Sequence, residues 1–385
     1  MPDTENAQVA LPQSSLAKAC GLYIHIPFCE QKCFYCSFVV AIGQTQRMDV
    51  YIDCLIEEMR HYAGRKIQTV YVGGGTPSFL TEKQLEKLFS GISAHFEVEP
   101  NSEITLEANP KDLDSPKAKF LRGLGVSRLS IGVQSMNDRF LKYLGRNHCA
   151  RDVRDTFDVV RRAGFTNVNL DLMYGFPNQK EEDIKSDVKA IVELKAEHVS
   201  LYALTIEEHS RFFAQQVKLQ TGEIQADHFL LVVELLEEAG YKQYEVSNFA
   251  KEGFESKHNS QYWRAEEYIG LGVGAHSYLK ARRFWNVSNF QEYLKRVQDK
   301  TSAQEGERQM SVADQFLDAF LFGLRMNEGI DIKNLENKFG YKLDQRRRDL
   351  IKDFIDHHWL ERYEDQLKTT SQGRLVLDEL CVRLV

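Results

Sequence analysis

Six short segments with strand-like composition alternate with amphipathic helical segments in the first half of the chain. The predicted strands are residues 22–27, 69–74, 103–109, 128–134, 168–175 and 198–205. The predicted helices between them are residues 50–62, 82–96, 116–124, 153–163 and 181–194. Because this alternation is typical of parallel strands joined by crossover helices, we predict an α/β fold.

The predicted strands carry apolar and polar residues in alternation. In the third strand Ile104 and Leu106 point to one face, whereas Glu103, Thr105 and Glu107 point to the other. Parallel strands covered by helices on both faces would be apolar throughout. One apolar face under the helices and one polar inner face therefore predict a partial (β/α)6 TIM-like barrel with a polar lumen. A sheet with one face in solvent is the alternative.

The pattern changes after residue 300. Residues 301–309 are polar and predict a linker, and they are followed by predicted helices at 315–325, 332–339 and 346–357 and strands at 360–363 and 367–370. Three helices and a short hairpin resemble a winged-helix-like α+β module. The predicted domains are therefore a flexible N-terminal arm (1–20), a barrel (21–300) and a winged-helix-like C-terminal domain (306–385).

Composition and charge exclude several classes of protein. With 27% charged and 11% aromatic residues in 385, the chain is not of the disordered class. Its net charge of −7 argues against nucleic-acid binding through bulk charge, and the C-terminal module is also acidic. We find neither an apolar run of about 18 residues nor a secretory signal, and therefore expect a cytoplasmic protein.

Three of the seven cysteines, Cys29, Cys33 and Cys36, fall within eight residues just after the first predicted strand. A closed zinc site needs four ligands, and the other cysteines are scattered along the chain. A 4Fe–4S cluster held by three thiolates would leave one iron open to a small chelating ligand. Three structural or zinc-binding cysteines are the alternative.

Other polar residues are expected at the same end of the barrel. Glu107, Gln134 and Asp171 lie near the carboxyl ends of successive predicted strands and share the lumen face, and Arg146 follows closely. The strand carboxyl ends of β/α barrels carry the active site, so these residues predict a ligand site. A buried ion pair is the alternative for the carboxylates, and an ordinary turn is the alternative for the glycines at 73–75.

These motifs resemble the radical S-adenosylmethionine superfamily and, within it, the oxygen-independent coproporphyrinogen III oxidase family. The matching runs are YIHIPFC at 23–29, GGGTPS at 73–78, EANP at 107–110, RLSIGVQS at 128–135 and NLDLMYG at 169–175. The resemblance implies a 4Fe–4S cluster on the three cysteines, with S-adenosylmethionine chelated by the open iron. It implies S-adenosylmethionine contacts at Tyr23, Tyr35, Gly74 and Glu107, and an adjoining second ligand site at Gly75, Thr76, Gln134, Arg146, Asp171 and Thr205.

Two further features are similar to the HemW haem-chaperone branch of that family. Phe38 stands where the dehydrogenases have a fourth cysteine, which argues against coproporphyrinogen dehydrogenase activity, and the motif HNSQYW occupies residues 258–263. The resemblance implies that His258, predicted in a loop, ligates haem iron, with His276 and Cys149 in reserve. Read alone, His258 is more typical of a hydrogen-bonded loop residue.

The expected function is therefore that of a haem chaperone that binds haem, a 4Fe–4S cluster and S-adenosylmethionine and transfers haem to an acceptor protein, for example a respiratory protein. The resemblance also implies a homodimer and peripheral membrane association through a partner. Two alternatives remain open. One is a radical enzyme acting on a porphyrin, either a coproporphyrinogen III dehydrogenase or a haem-degrading methyltransferase, and the other is a winged-helix regulator with an iron–sulfur sensor.

Overall fold

The structure of the chain is a computed structural model that describes residues 19–385. Its strands are β1 (Cys20–Ile26), β2 (Phe28–Cys29), β3 (Ala41–Ile42), β4 (Arg65–Gly74), β5 (Phe96–Ala108), β6 (Arg128–Gln134), β7 (Val168–Tyr174), β8 (His198–Ala203), β9 (Lys242–Glu245), β10 (Asn248–Ala250), β11 (Tyr268–Leu271), β12 (His276–Leu279), β13 (Arg282–Asn286), β14 (Gln304–Gln309), β15 (Ile330–Asp331), β16 (Leu360–Tyr363) and β17 (Gln366–Thr369).

The helices of the barrel part are α1 (Met48–Met59), α2 (Glu82–His95), α3 (Ser115–Gly123), α4 (Asp138–Leu144), α5 (Ala150–Arg162), α6 (Glu181–Leu194), α7 (Arg211–Ala214), α8 (Gly222–Glu238), α9 (Lys257–Trp263) and α10 (Phe290–Gln298). The C-terminal helices are α11 (Val312–Gly323), α12 (Ile332–Phe339), α13 (Gln345–Asp356), α14 (Ser371–Leu375) and α15 (Leu377–Leu384). Local sequence sets their ends: α2 begins after Thr81, which forms a capping box with Gln84.

One twelve-stranded sheet organises the larger part of the chain, in the order β14-β13-β12-β11-β1-β4-β5-β6-β7-β8-β10-β9. The stretch from β11 to β8 is parallel throughout. It contains the six predicted strands as neighbours in sequence order, which confirms the α/β class. The seventh parallel strand, β11, is only four residues long and escaped the sequence pattern.

The alternation within the strands has the predicted packing consequence. Leu106 of β5 and Leu129 of β6 are fully buried in the main hydrophobic core, with Val70 and Val72 of β4. Polar residues of the same strands, such as Glu107, line a cavity on the other face. That cavity is lined by the ends of β4 to β8 and by the loop that carries Cys29, Cys33 and Cys36, called the cysteine loop below. The sheet therefore curls around the cavity as a partial barrel does.

The C-terminal part has the predicted helices α11, α12 and α13 and the β16–β17 hairpin, joined by β15 in a three-stranded sheet. It has a core of its own. The core residues include Phe316, Phe320, Phe354, Leu367 and Leu380.

The predicted linker at 301–309 is wrong. Residues Gln304–Gln309 form β14, which pairs antiparallel with β13 in the large sheet. Edge strands tolerate charged side chains because much of their surface meets water, and the polar composition of β14 therefore hid the strand. The barrel sheet thus continues to residue 309, and the C-terminal part begins at about residue 310 instead of 306.

The predicted N-terminal arm, residues 1–20, lies outside the described residues except for its last two, and Cys20 already belongs to β1. Within residues 19–385, no helix has both the length and the apolar character that crossing a bilayer requires.

Candidate cofactor site

A cavity of about 520 Å³ opens at the carboxyl ends of the parallel strands. It brings together most of the residues that the sequence singled out. These are Cys29, Cys33, Tyr35, Cys36, Gly74, Gly75, Thr76, Glu107, Gln134, Arg146, Asp171 and Thr205. Tyr23 and His258 are not among the lining residues. Twelve of the fourteen predicted site residues therefore share one wall, although their roles stay predictions.

The cysteine loop is held by contacts of Phe34 with the rest of the barrel. The Phe34 amide donates to the carbonyl of Leu144 at 2.9 Å, and its own carbonyl accepts from the Phe212 amide at 2.9 Å. The guanidinium of Arg211 lies 4.0 Å from the centroid of the Phe34 ring. Two backbone hydrogen bonds and one ring contact of Phe34 thus fix the position of the loop.

Two of the three thiols accept hydrogen bonds from the cavity wall. Thr76 Oγ1 donates to Cys29 Sγ at 3.3 Å, and Arg146 donates to Cys33 Sγ at 3.3 Å. Burial raises the pKa of Cys29 to about 11 and raises that of Cys36 as well. The Cys29 and Cys36 thiols are therefore neutral unless a metal stabilises the thiolates, and metal binding would release their protons.

The three thiols suit an iron–sulfur cube better than a single ion. No group of three or more His, Cys, Asp or Glu side chains between residues 19 and 385 is placed to hold one metal ion. A 4Fe–4S cube does not need three ligands around one ion, because each thiolate binds a different iron. All three cysteines are partly exposed and face one cavity that no other cysteine lines. The residues present therefore fit a 4Fe–4S cluster, which Cys29, Cys33 and Cys36 would hold.

Glu107 is a carboxylate of the cavity wall that is hydrogen-bonded at both oxygens. Its two oxygens accept from the Tyr71 hydroxyl at 2.7 Å and from the Gly74 amide at 2.9 Å. Gly74 has φ +112°, and a Cβ there would lie 2.5 Å from the ring of His25, so only glycine fits. Burial, aided by the charge of Asp171, raises the pKa of Glu107 to about 7, although the Tyr71 and Gly74 donors oppose the rise.

Asp171 and Arg146 supply opposite charges on the same wall. Asp171 accepts from Asn169 at 2.7 Å, and burial raises its pKa. Arg146 donates to the side chain of Asn109 at 2.6 Å and to the carbonyl of Gly132 at 2.9 Å, while its Nε has no partner. Carboxylates and one guanidinium in a single cavity can bind a ligand that carries both an ammonium and a carboxylate.

Sequence reasoning missed several lining residues. Tyr202 of β8 is 43% exposed, and it is exposed into the cavity. It shares the lumen face with Ser200, which was the available signal, but the sixth strand does not alternate cleanly enough to reveal it. Phe38, noted only as a missing cysteine, is 66% exposed at the cavity. Both rings offer flat apolar surface to a ligand.

The structure places His258 away from the cavity. The predicted loop is wrong, because Lys257–Trp263 form the helix α9. His258 is 1% exposed; its Nδ1 bonds Thr69 Oγ1 at 2.7 Å and its Nε2 bonds the Tyr262 hydroxyl at 2.8 Å. With both nitrogens engaged, the imidazole has no free nitrogen for haem iron in this structure. The hydrogen-bonded alternative describes the residue better.

The remaining candidates also lie off the cavity. The Tyr23 hydroxyl bonds His25 Nδ1 at 3.0 Å, and its ring stacks on Tyr71 with centroids 6.2 Å apart. Tyr23 therefore lies behind Tyr71. Of the reserve ligands, His276 stacks on Trp285, with centroids 5.9 Å apart, and Cys149 is the N-cap residue of α5.

Comparisons with known proteins agree with this fold. The model of the Radical SAM superfamily matches residues 23–191, and that of the HemN C-terminal domain matches 310–376. The second match starts where the structure places the C-terminal part. Among solved structures, coproporphyrinogen III oxidase (HemN) from Escherichia coli aligns with TM-score 0.86 at 24% identity, over 95% of this chain and 90% of that chain. At that identity the likeness shows the fold.

Curated relatives show the family. Proteins named heme chaperone HemW from Lactococcus lactis and Bacillus subtilis are 38% and 36% identical to this chain over 362 and 367 residues. Each alignment covers 93% of this chain, and they cover 95% and 97% of the two relatives. The chain therefore belongs to the heme chaperone HemW family of the radical SAM superfamily.

Proposed function

We propose that this chain is a haem chaperone that binds haem, holds a 4Fe–4S cluster with S-adenosylmethionine, and passes haem to an acceptor protein. The observation that carries the proposal is the convergence of Cys29, Cys33 and Cys36 on one cavity with Glu107 and Arg146. The curated relatives that share most of this chain's length are named for the same activity.

The three cysteines would hold the cluster at the cavity mouth. When bound, such a cluster supplies an open iron for chelation and a low-potential electron. Around it, Glu107 and the backbone near Gly74 would bind the ammonium group of S-adenosylmethionine. Further contacts would come from Tyr35 and Tyr23. An adjoining second ligand would contact Gly75, Thr76, Gln134, Arg146, Asp171 and Thr205.

Haem would bind near Phe38 and Tyr202, because their exposed rings can cover the apolar plane of a porphyrin. Lys32, which also lines the cavity, can pair with a propionate. In this packing His258 does not supply the iron ligand, because both of its nitrogens are engaged.

The setting of the activity is also part of the proposal. We place the protein in the cytoplasm, where cysteines stay reduced and available for a cluster. The acceptor would be a haem protein such as a respiratory one, reached by peripheral association with a membrane through that partner. A homodimer is the proposed oligomeric state.

Anaerobic reconstitution with iron and sulfide, followed by haem titration with and without S-adenosylmethionine, tests this function. We expect the chain to shift the haem Soret band, with the shift saturating at about one haem per chain. Adding haem-free acceptor should reverse the shift, because haem leaves the chain. Absence of any Soret shift would overturn the proposal. Deoxyadenosine release that depends on an added porphyrin would instead support the radical-enzyme alternative.

A further inference from the structure

Helix α9 closes the lumen at the end opposite the cavity. Glu103 accepts from the amides of Lys257 at 3.1 Å and His258 at 3.0 Å. Thr69 accepts from Gln261 at 2.8 Å. Thr69 and Glu103 precede Tyr71 and Glu107 on their parallel strands, whose carboxyl ends form the cavity, so α9 lies below the cavity floor.

His258 is locked into this floor. Its two nitrogens bond Thr69 and Tyr262, as described above, and the ring of Tyr262 meets the imidazole edge-on with centroids 5.1 Å apart. Burial, together with the charge of Arg128, lowers the pKa of His258 to about 3, so the imidazole is neutral at physiological pH. A neutral, fully bonded ring of this kind holds a fixed orientation.

The imidazole supports the residue that orients Glu107. The ring of Tyr71 lies between Tyr23, with centroids 6.2 Å apart, and His258, with centroids 5.2 Å apart, and both pairs are stacked. The hydroxyl of Tyr71 donates to Glu107 at 2.7 Å. A Cβ on Gly73 would lie 2.7 Å from the Tyr71 ring and 2.9 Å from the Glu107 carboxyl carbon, so glycine leaves room for this contact.

We propose that His258 is a positioning residue for the S-adenosylmethionine site: it holds Tyr71 in the three-ring stack, and Tyr71 holds the carboxylate of Glu107 toward the cavity. The proposal rests on the proposed function, since it takes Glu107 as a contact of S-adenosylmethionine. It assigns the HNSQYW segment to the barrel floor instead of to haem coordination.

The test measures the affinity of the reduced, reconstituted protein for S-adenosylmethionine from the change that the ligand causes in the cluster's electron paramagnetic resonance spectrum. We expect His258→Ala and Tyr71→Phe each to weaken binding about tenfold, with iron and sulfide content unchanged. His258→Phe keeps a ring against Tyr71 and should restore most of the affinity. His276→Ala, which removes a stacked imidazole outside the cavity, is the matched control and should bind as the unaltered chain does.

A pH profile separates positioning from general loss of stability. Glu107 is faced by charged or titratable groups of five other strands: Tyr23, Tyr71, Arg128, Asp171 and Tyr202. Tyr71→Phe removes a donor that lowers the pKa of Glu107, so that pKa rises. Because the ionised carboxylate binds the ammonium group, the pH at which affinity is half-maximal should move upward. A variant that is only less stable would keep the original midpoint.

Each outcome decides one claim. Unchanged affinity in His258→Ala overturns the positioning role of His258, and unchanged affinity in Tyr71→Phe overturns that of the Tyr71 hydroxyl. If the alanine variant does not fold, His258→Leu, which fills the space without a ring that can stack, takes its place. Loss of the haem shift of the Soret band in His258→Phe would overturn the assignment of the HNSQYW segment to the barrel floor, in favour of an iron ligand. If the unaltered chain shows no spectral response to S-adenosylmethionine, the proposed cofactor site fails and this inference fails with it.

Discussion

Cys33 lies at the cavity with the Arg146 guanidinium 3.3 Å from its sulfur. Replacing it by alanine leaves two thiolates, which hold a cube poorly. We expect Cys33→Ala to lose the brown 4Fe–4S species, seen as loss of absorbance near ~400 nm and of bound iron and sulfide. Cys54→Ala is the control, because Cys54 is a buried thiol of α1 outside the cavity. Full iron content in Cys33→Ala would mean that the ligands are assigned wrongly.

Glu58 of α1 gives a pH-dependent contribution to stability. It is buried, and its oxygens accept from Tyr293 at 2.7 Å, Asn286 at 2.6 Å and the Gly272 amide at 2.9 Å. Burial nevertheless raises its pKa from 4.5 to about 7. The unfolded chain loses the proton near pH 4.5 and the folded chain only near pH 7. The contribution of Glu58 to stability is therefore largest below pH 4.5 and falls as the pH rises to 7.

Glu58→Gln removes this titration. We compare the free energy of unfolding of the unaltered chain with that of the variant. We expect the difference, unaltered chain minus variant, to fall by up to about 3 kcal/mol as the pH rises from 4.5 to 7.5. Denaturant titrations at several pH values measure it. Glu57→Gln is the matched control, because Glu57 forms only an exposed pair with Arg60. A difference that does not vary with pH would show that the folded carboxyl titrates normally.

The sequence correctly predicted those cavity residues whose positions follow from the alternation of side chains along a strand. Glu107, Gln134 and Asp171 reach the cavity because alternate residues of a strand share a face. His258 could not be placed in the same way. Its partner Tyr262 is one helical turn away in α9, but Thr69 is reached only because α9 packs under the barrel, and no local pattern encodes that packing.

Among the elements, α9 depends on one carboxylate of a neighbouring strand. Glu103 of β5 accepts from two amides at the start of α9, which have no partner within the helix. Glu103→Ala would leave both amides unpaired, that of His258 in a buried position, and we expect a loss of about 1–3 kcal/mol in the free energy of unfolding. The measurement is chemical denaturation.

Glu99→Ala provides the comparison for Glu103. Glu99 lies on the same strand but is exposed, so its removal should change stability by less than about 0.5 kcal/mol. Equal effects of the two substitutions would contradict the role given to Glu103.

The strands and helices that were predicted correctly are those that bury a full face in the core. Strands β6 and β7 and helix α6 agree with the pattern within a residue or two, because each buries one full face in the core. Strand β14 was missed because it forms the edge of the sheet, and β11 because four residues are too few to show a period. The periodicity of apolar residues in a sequence reflects burial, so elements that bury little surface show only a weak periodicity.

In the whole molecule, Arg283 is one of the residues that join the barrel to the C-terminal part. This residue of β13 donates to Asp318 of α11 at 2.7 Å, and its guanidinium lies 5.4 Å from the centroid of the Phe322 ring. We expect Arg283→Ala to cost about 1 kcal/mol in the free energy of unfolding, because an ion pair and a cation–π contact are lost together.

Arg151→Ala is the control for this contact. Arg151 pairs with Asp155 within α5, and both side chains are exposed. Its loss should change the denaturation midpoint little. If Arg151→Ala is as harmful as Arg283→Ala, the contacts of Arg283 with the C-terminal part add nothing specific to stability.

We propose that three cysteines at the mouth of the partial barrel hold a cluster with one iron open to S-adenosylmethionine. The most direct test is electron paramagnetic resonance of the reduced, anaerobically reconstituted chain, with iron counted in the same sample. We predict about four irons per chain and a spectrum that changes when S-adenosylmethionine is added. A loaded cluster whose spectrum ignores S-adenosylmethionine would contradict the account.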